Sequence, residues 1–362
     1  MGRGSVDRLM KRVCVFDGDD AAPEAVRPTV DLLEELVPEV EFHRPPVGEH
    51  AEQLGAGRLP DPLREAIEGS DTVLFGSASG TALPIIRYLR NEYGGGLPAN
   101  VRPVRYLPGA DSPLADPTGV DYTIVRENLE GLYLRAEGDL EALRASSLEV
   151  AGGTRDLDAL GEGKYAIRVA SEENLRWLAG FACDLAAERA ERGASRLTCA
   201  TKSNVLDETD GLFQRTVERE ATDRGLEYEH LHADDLGQQL AIDPGRFDVI
   251  VTPNFAGDLL SDVGAGTVGG LGLAPSGCYG PEAAYFEPVH GTAPDIAGEN
   301  VINPTATLLS AVMLLEYVGR ERAADRLARA VEAVYRAGGP LTPDQGGSAS
   351  TDEMVAAVAG QL

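Results

Sequence analysis

The chain has 362 residues, enough for about two domains, and its 43% apolar and 25% charged composition is that of a folded protein. With 59 Asp and Glu against 32 Lys and Arg, its net charge of −27 excludes nucleic acid and anionic membrane surfaces as partners and resembles the acidic bias of proteins from a salt-rich cytosol. No apolar run approaches the roughly 18 residues of a membrane span, no signal-peptide core follows the basic N-terminus, and the four scattered cysteines lack C-x-x-C spacing, so a cytoplasmic protein with reduced, buried thiols is expected.

Short apolar runs alternate with longer helical patterns, which predicts an α/β fold. Met10 stands just before the first strand, so residues 1–9 read as a tail or a start-site artefact. Arg12–Phe16 predicts a strand and Pro23–Leu36 an amphipathic helix. Thr72–Gly76 is a second strand, followed by a helix around Pro84–Tyr93. Tyr122–Val125, Arg196–Ala200 and Asp248–Val251 predict buried strands. The irregular, Gly-containing stretch Leu134–Lys164 reads as an arm or inserted hairpin. Ser171–Arg189, with Ser171 as N-cap, and Thr305–Tyr317 have helical periodicity without proline. No repeat or linker separates the domains, so they share crossings of the chain.

Asp258 and Asp262, in Thr252-Pro-Asn-Phe-Ala-Gly-Asp-Leu-Leu-Ser-Asp262, lie four residues apart, and a helix there puts both carboxylates on one face. They repel, and no Lys or Arg occurs between Arg246 and Arg320. A divalent cation is the simplest compensation. Arg87, Arg90, Arg102 and Arg105 fall within nineteen residues that contain one acid, Glu92, and Arg126 ends a predicted strand in Arg126-Glu-Asn-Leu-Glu-Gly-Leu-Tyr133. Converging guanidiniums suit a di- or tricarboxylate, and surface salt bridges are the plainer account.

Lys202, in Thr201-Lys-Ser-Asn204, follows a strand, where α/β proteins collect active-site residues. It is a candidate base or an ordinary solvated lysine. Glu287-Pro-Val-His-Gly-Thr-Ala-Pro-Asp-Ile-Ala-Gly298, then Asn303-Pro304, offers small residues for close backbone approach and an Asp able to accept ribose hydroxyls. His290 there can stack on a base or serve a local hydrogen bond. Gly264-Ala-Gly-Thr-Val-Gly269 matches G-x-G-x-x-G, but the aspartate helix separates it from the preceding strand, so a Rossmann site is rejected.

Together these segments resemble the β-decarboxylating dehydrogenases, the family of isocitrate, 3-isopropylmalate, homoisocitrate and tartrate/D-malate dehydrogenases. The resemblance runs from about Val13 to Leu362 and is densest in FDVIVTPNFAGDLLSD, GGLGLAPS and FEPVHGTAPDIAG. It implies an α/β, non-Rossmann, two-domain fold of the isopropylmalate dehydrogenase type. Residues 1–98 and 270–362 would form the first domain and 99–269 the second, with an arm or clasp at about 134–165. It also implies a homodimer or larger homo-oligomer acting on a 2-hydroxy di- or tricarboxylate with NAD and Mg²⁺ or Mn²⁺.

Carried over by motif, Arg90, Arg102 and Arg126 would hold the substrate carboxylates. Asp258 and Asp262 would bind the metal with Asp234 supplied across the subunit interface. Lys202, also across that interface, would be the general base, and Tyr133 the acid that acts after CO₂ leaves. Asn204 would lie close to the cofactor and Glu287 nearer the nicotinamide. His290, Gly291, Asp295, Ile296 and Asn303 would line the adenosine site. Asp295-Ile296 goes with NAD, since that carboxylate would repel a 2′-phosphate.

The chain departs from the family in its first loop. The usual Gly-Asp-Gly-Ile-Gly-Pro-Glu is Gly18-Asp-Asp-Ala-Ala-Pro-Glu24, with Asp20 and Ala22 at two glycine positions. That puts a φ > 0 position or a close backbone approach at stake and opens the alternative of a non-catalytic paralogue. Intact Lys202, Tyr133, Asp234, Asp258 and Asp262 argue for an active enzyme. Two extra residues between Arg90 and Arg102 would be absorbed at Gly94-Gly-Gly96. Ile85 and Ile86 suit an aliphatic substituent, ranking 3-isopropylmalate, an intermediate of leucine synthesis, ahead of tartrate/D-malate and isocitrate. Arg87 cuts the other way.

Overall fold

The computed structural model describes residues 10–146, 157–190 and 196–362. The expected tail 1–9 and the middle of the expected arm lie outside the described residues. In chain order the strands are β1 (Lys11–Phe16), β2 (Val40–His43), β3 (Thr72–Phe75), β4 (Ala99–Arg105), β5 (Asp121–Glu127), β6 (Glu137–Asp139), β7 (Lys164–Ala166), β8 (Arg196–Thr201), β9 (Glu227–His232), β10 (Val249–Thr252), β11 (Pro275–Tyr279) and β12 (Ala284–Pro288). Ten of them form one sheet in the order β2-β1-β3-β12-β11-β4-β5-β10-β8-β9. Its two wings are parallel, while β11 runs antiparallel to both β12 and β4, and β4 antiparallel to β5. A Rossmann sheet is parallel through its centre, and this one is not.

Helices cover both faces, which is why inner strands of the parallel wings, such as β3 (Thr-Val-Leu-Phe) and β10 (Val-Ile-Val-Thr), are buried at every position rather than alternating. Helices Ala22–Leu36, Thr305–Tyr317, Glu321–Arg336 and Thr351–Ala359 close one core over β1, β3 and β12. The third of these buries Leu327, Ala330, Val331 and Val334, the i, i+3, i+4, i+7 stripe of an amphipathic helix. Helices Asp61–Glu68 and Leu83–Asn91 build a second core against β1 and β3. In the other wing, Glu172–Ala190 and Thr209–Asp223 pack on one face of β5, β8 and β10, and Ala233–Ile242 and Asn254–Thr267 on the other. The four cysteines are free and buried, and burial raises the Cys14 thiol to about 12.

Two expectations are corrected, the end of the helix near Tyr93 and the cap at Ser171. The helix expected to reach Tyr93 ends at Asn91, and Gly94, Gly95 and Gly96 all take positive φ in the turn that follows. Ser171 stands one residue before its helix, and its carbonyl accepts the Leu175 N–H, but its hydroxyl donates to Glu130 rather than capping the helix. The glycine-rich decoy is the tail of helix Asn254–Thr267 and the turn beyond it. Gly264 is there for packing: a Cβ would meet the Tyr122 hydroxyl at 2.6 Å. Within the described part of the expected arm, β6 and β7 pair as an antiparallel hairpin.

Candidate active site

The site grows from the junction of β10 with the helix Asn254–Thr267. Thr252, the last residue of β10, pairs in register with Arg126 near the end of β5, which brings that arginine to the first turn of the helix. Asp258 and Asp262 then follow one turn apart. Arg126 Nε and Nη2 donate to Asn254 Oδ1 at 3.1 and 2.7 Å, and Nη1 bonds Asp258. From β4, Arg102 donates to Asn100 Oδ1 and Ser261 Oγ, both at 2.6 Å, and its Nη1 lies 3.5 Å from the carboxylates of Asp258 and Asp262 alike. The Tyr133 hydroxyl donates to Asp258 at 2.9 Å, and its ring carries the Arg126 guanidinium 5.5 Å from its centroid. Arg90 reaches Glu287 at 3.4 Å from the helix Leu83–Asn91.

These groups perturb one another in an informative direction. Burial, then the charge of Arg102, pushes Arg126 down to about 10, against the pull of Asp258. Arg126 is thus under-neutralised, and an anion beside it would offset the cost of its burial. Burial raises Asp262, with Asp258 adding to that and Arg102 opposing it. Burial and the bond to Asp258 hold the Tyr133 phenol above its usual value, so it stays protonated.

Arg90, Arg102, Arg126, Tyr133, Asp258, Glu287, His290 and Gly291 all line one cleft of about 840 Å³, together with Leu83, Ile86 and Arg87. Ile85 does not: it is 1% exposed, in the core behind the helix. The remaining expected site residues lie elsewhere. Lys202 Nζ pairs with Asp234, which lowers the Asp234 carboxyl. Asn204 and Asp295 are exposed, and Ile296 packs near Ala21, Ala25 and Ile302. Asn303 is 4% exposed, its amide donating to Tyr335 and Asp344 and its oxygen accepting the Thr305 N–H. Its side chain is committed to the fold. His290 uses Nδ1 on the Gly291 carbonyl, leaving Nε2 buried without a partner, and burial lowers its pKa.

The donor chemistry of Asp258 and Asp262 fits a hard divalent cation: two carboxylate oxygen sets on one helix face, one of them made costly by burial. Among the described residues no third acid, His or Cys joins them, so one chain supplies two of the three expected ligands.

A family model for isocitrate/isopropylmalate dehydrogenase matches residues 12–358. The chain belongs to the isocitrate/isopropylmalate dehydrogenase family. It is 40% identical over 356 residues to the 3-isopropylmalate/3-methylmalate dehydrogenase of Methanocaldococcus jannaschii, covering 97% of this chain and 98% of that one. It is also 40% identical over 356 residues to the isocitrate/homoisocitrate dehydrogenase of Thermus thermophilus, covering 96% and 97%. The crystal structure of isocitrate dehydrogenase from Methylococcus capsulatus superposes with a TM-score of 0.83 at 30% identity, over 97% of this chain and 99% of that one. The fold is therefore that of a family of decarboxylating dehydrogenases, and it agrees with rejection of the Rossmann motif.

Sequence reasoning missed Asn100, Asn254 and Ser261, which aim the dehydrogenase's Arg102 and Arg126, and Asp19, which holds the loop before the helix of Arg90. Asn254 and Ser261 did carry a signal, since both are polar residues within a turn of Asp258 on the aspartate helix.

Proposed function

We propose that this dehydrogenase oxidises and decarboxylates a 3-substituted (R)-malate with NAD⁺ and Mg²⁺ or Mn²⁺, with 3-isopropylmalate the first candidate substrate. The observation that carries the reading is the convergence of Arg90, Arg102 and Arg126 on the cleft that also holds Tyr133 and Asp258. The three guanidiniums bind and orient the malate carboxylates. Asp258 and Asp262, with Asp234 of a second copy, would hold the cation, which supplies Lewis acidity to the substrate's hydroxyl and carboxylate oxygens when bound. Lys202 of that second copy would take the hydroxyl proton, with NAD⁺ as the hydride acceptor, and the Tyr133 phenol would return a proton to carbon once CO₂ has left.

Leu83 and Ile86 support an aliphatic substituent. Arg87, on the same cleft wall, supports a second reading in which the substituent ends in a carboxylate, as in isocitrate or homoisocitrate. The exposed carboxylate of Asp295 favours NAD over NADP by charge. A homodimer is supported by Phe255, Leu259 and Val263, which are 43%, 54% and 43% exposed at four-residue spacing along the aspartate helix. No helix among the described residues is long and apolar enough to cross a membrane.

Steady-state reduction of NAD⁺ and NADP⁺ with 3-isopropylmalate, D-malate, tartrate and isocitrate, with Mn²⁺ and with EDTA, tests the reading. Turnover on 3-isopropylmalate that EDTA abolishes and NAD⁺ supports is the expected result. Turnover insensitive to EDTA overturns the cation assignment, and silence on every substrate points to a non-catalytic paralogue.

A further inference from the structure

Asp210 takes no part in the chemistry above, yet its carboxylate is 3% exposed in the first turn of helix Thr209–Asp223. Both oxygens are engaged. One accepts the backbone N–H of Lys202 at 2.7 Å, and the other takes the guanidinium of Arg168. A capping carboxylate would serve its own helix; this one reaches back into the loop after β8. The Lys202 carbonyl already closes its own turn, accepting the N–H groups of Val205 and Leu206 at 2.9 Å. The N–H held by Asp210 anchors the start of that turn, while Ser203 Oγ, which donates to Gln214 at 2.7 Å, and the Leu206 carbonyl, which accepts the Asp210 N–H at 2.9 Å, anchor its later residues.

Arg168 sits two residues beyond β7, at the root of the hairpin. Its neighbour Val169 bridges Gly131 antiparallel, the Gly131 N–H donating to the Val169 carbonyl at 3.0 Å. Gly131 leads directly into the Leu132–Leu134 turn that carries Tyr133. Gly131, Arg168, Val169 and Asp210 line the same gap of about 10 Å³, which shows how tightly these backbones meet.

We propose that Asp210 is a positioning residue for Lys202, and that its ion pair with Arg168 ties the Lys202 turn to the Gly131–Val169 bridge preceding Tyr133. One short crosspiece then sets the backbone of two proton-transfer residues, Tyr133 of the chain's own site and Lys202 of the neighbouring copy's site. The proposal rests on the roles given above to Lys202 and Tyr133, but its structural half does not.

The test uses the full chain and four variants: Asp210→Asn, Arg168→Met, Arg168→Lys and the double Asp210→Asn/Arg168→Met. Amide hydrogen exchange in Asp210→Asn is expected to speed up about tenfold or more in the peptide spanning 199–206 while distant core peptides stay unchanged. Arg168→Met is expected to loosen both 199–206 and 129–135, and Arg168→Lys to restore most of the protection. In turnover, kcat falls about tenfold or more with the hydroxy-acid KM within about threefold, because misplacement of a proton-transfer group costs rate rather than affinity. Unchanged exchange at 199–206 in Asp210→Asn overturns the proposal. So does acceleration spread evenly over all peptides, which would mark a merely structural ion pair. If Asp210→Asn does not fold, the contrast between Arg168→Lys and Arg168→Met at both peptides decides the matter. If the wild type turns over no substrate, the functional reading fails while the exchange data still judge the crosspiece.

Discussion

The side-chain stem of Arg126 lies directly on the backbone of Gly257: a Cβ at that position would stand 2.7 Å from Arg126 Cγ and 2.8 Å from its Cβ. A glycine in mid-helix costs up to about 1 kcal/mol against alanine, so its presence one residue before Asp258 has to be explained by what it admits. It admits the arginine to the aspartate helix. Gly257→Ala should gain helix propensity yet displace Arg126 from Asn254 and Asp258. We expect no gain in Tm, and a rise of about tenfold or more in the KM for the hydroxy acid, read by thermal melts and steady-state kinetics. Wild-type kinetics in this variant would show that Arg126 does not bind substrate.

Arg87 separates the two substrate readings. It lines the cleft beside Leu83 and Ile86, with no ion-pair partner among the described residues. Arg87→Val should leave kcat/KM for 3-isopropylmalate unchanged or higher, while removing about 10- to 100-fold of any isocitrate turnover, the worth of a charge-assisted bond to a carboxylate. A loss on 3-isopropylmalate equal to that on isocitrate would place Arg87 outside the substituent's reach.

Asp19 caps, from a distant loop, the turn that opens the arginine helix. Its Oδ2 accepts the N–H groups of Ser79, Gly80 and Ala82 at 3.0, 2.8 and 3.1 Å, and Oδ1 accepts the Thr81 hydroxyl at 2.8 Å. Burial works to raise this carboxyl, but the bonds together outweigh it and the net shift is downward. A folded-state pKa below the unfolded one contributes stability that is complete above about pH 4 and vanishes as pH falls through the folded value. In Asp19→Asn that contribution is absent at every pH. Melting curves from neutral to acid should therefore show a constant deficit for the variant that closes at the acid end. A deficit that widens toward low pH would contradict the assignment.

Asp20 occupies one of the positions where the family has glycine, and it adopts φ +54, so the left-handed requirement foreseen for this loop is met by an aspartate. Asp tolerates that region better than most residues, and its carboxylate accepts the Ser79 hydroxyl at 2.8 Å. Relief of about 1 kcal/mol of backbone strain and loss of one exposed hydrogen bond nearly cancel, so Asp20→Gly should shift stability by less than about 1 kcal/mol. Chemical denaturation would measure this. A larger loss would mean that the Asp20–Ser79 bond holds the loop.

What could be read from the chain was periodic or local. The shared face of Asp258 and Asp262 followed from their four-residue spacing once the segment is helical, and the buried strands from their apolar runs. Ile85 and Ile86 show a limit of periodicity: it sets helix neighbours about 100° apart but does not say which of the two turns to the cleft, and here Ile86 lines it while Ile85 is buried in the core behind. Ser171 was unreadable because its partner, Glu130, lies 41 residues away. Lys202 and Asp234 were each expected at the site, but their mutual pairing depends on β8 and β9 lying side by side, which no local pattern encodes.

That pairing leads to the strongest test of a shared site. Among the described residues, Lys202 and Asp234 do not line the cleft that holds Asp258 and Tyr133, so the proposed base and the proposed metal ligands do not meet there within one chain. If a second copy supplies Lys202 and Asp234, then Lys202→Ala and Asp258→Asn are each inactive as homodimers. A heterodimer of the two carries one doubly damaged site and one wholly intact site. Unfolding and refolding an equal mixture should thus restore about a quarter of wild-type activity, since half the dimers are hybrid and each has one working site. The same mixture left unexchanged should stay inactive. No recovery after refolding, with hybrids confirmed by mass spectrometry of differently tagged chains, would mean that each chain completes its own site.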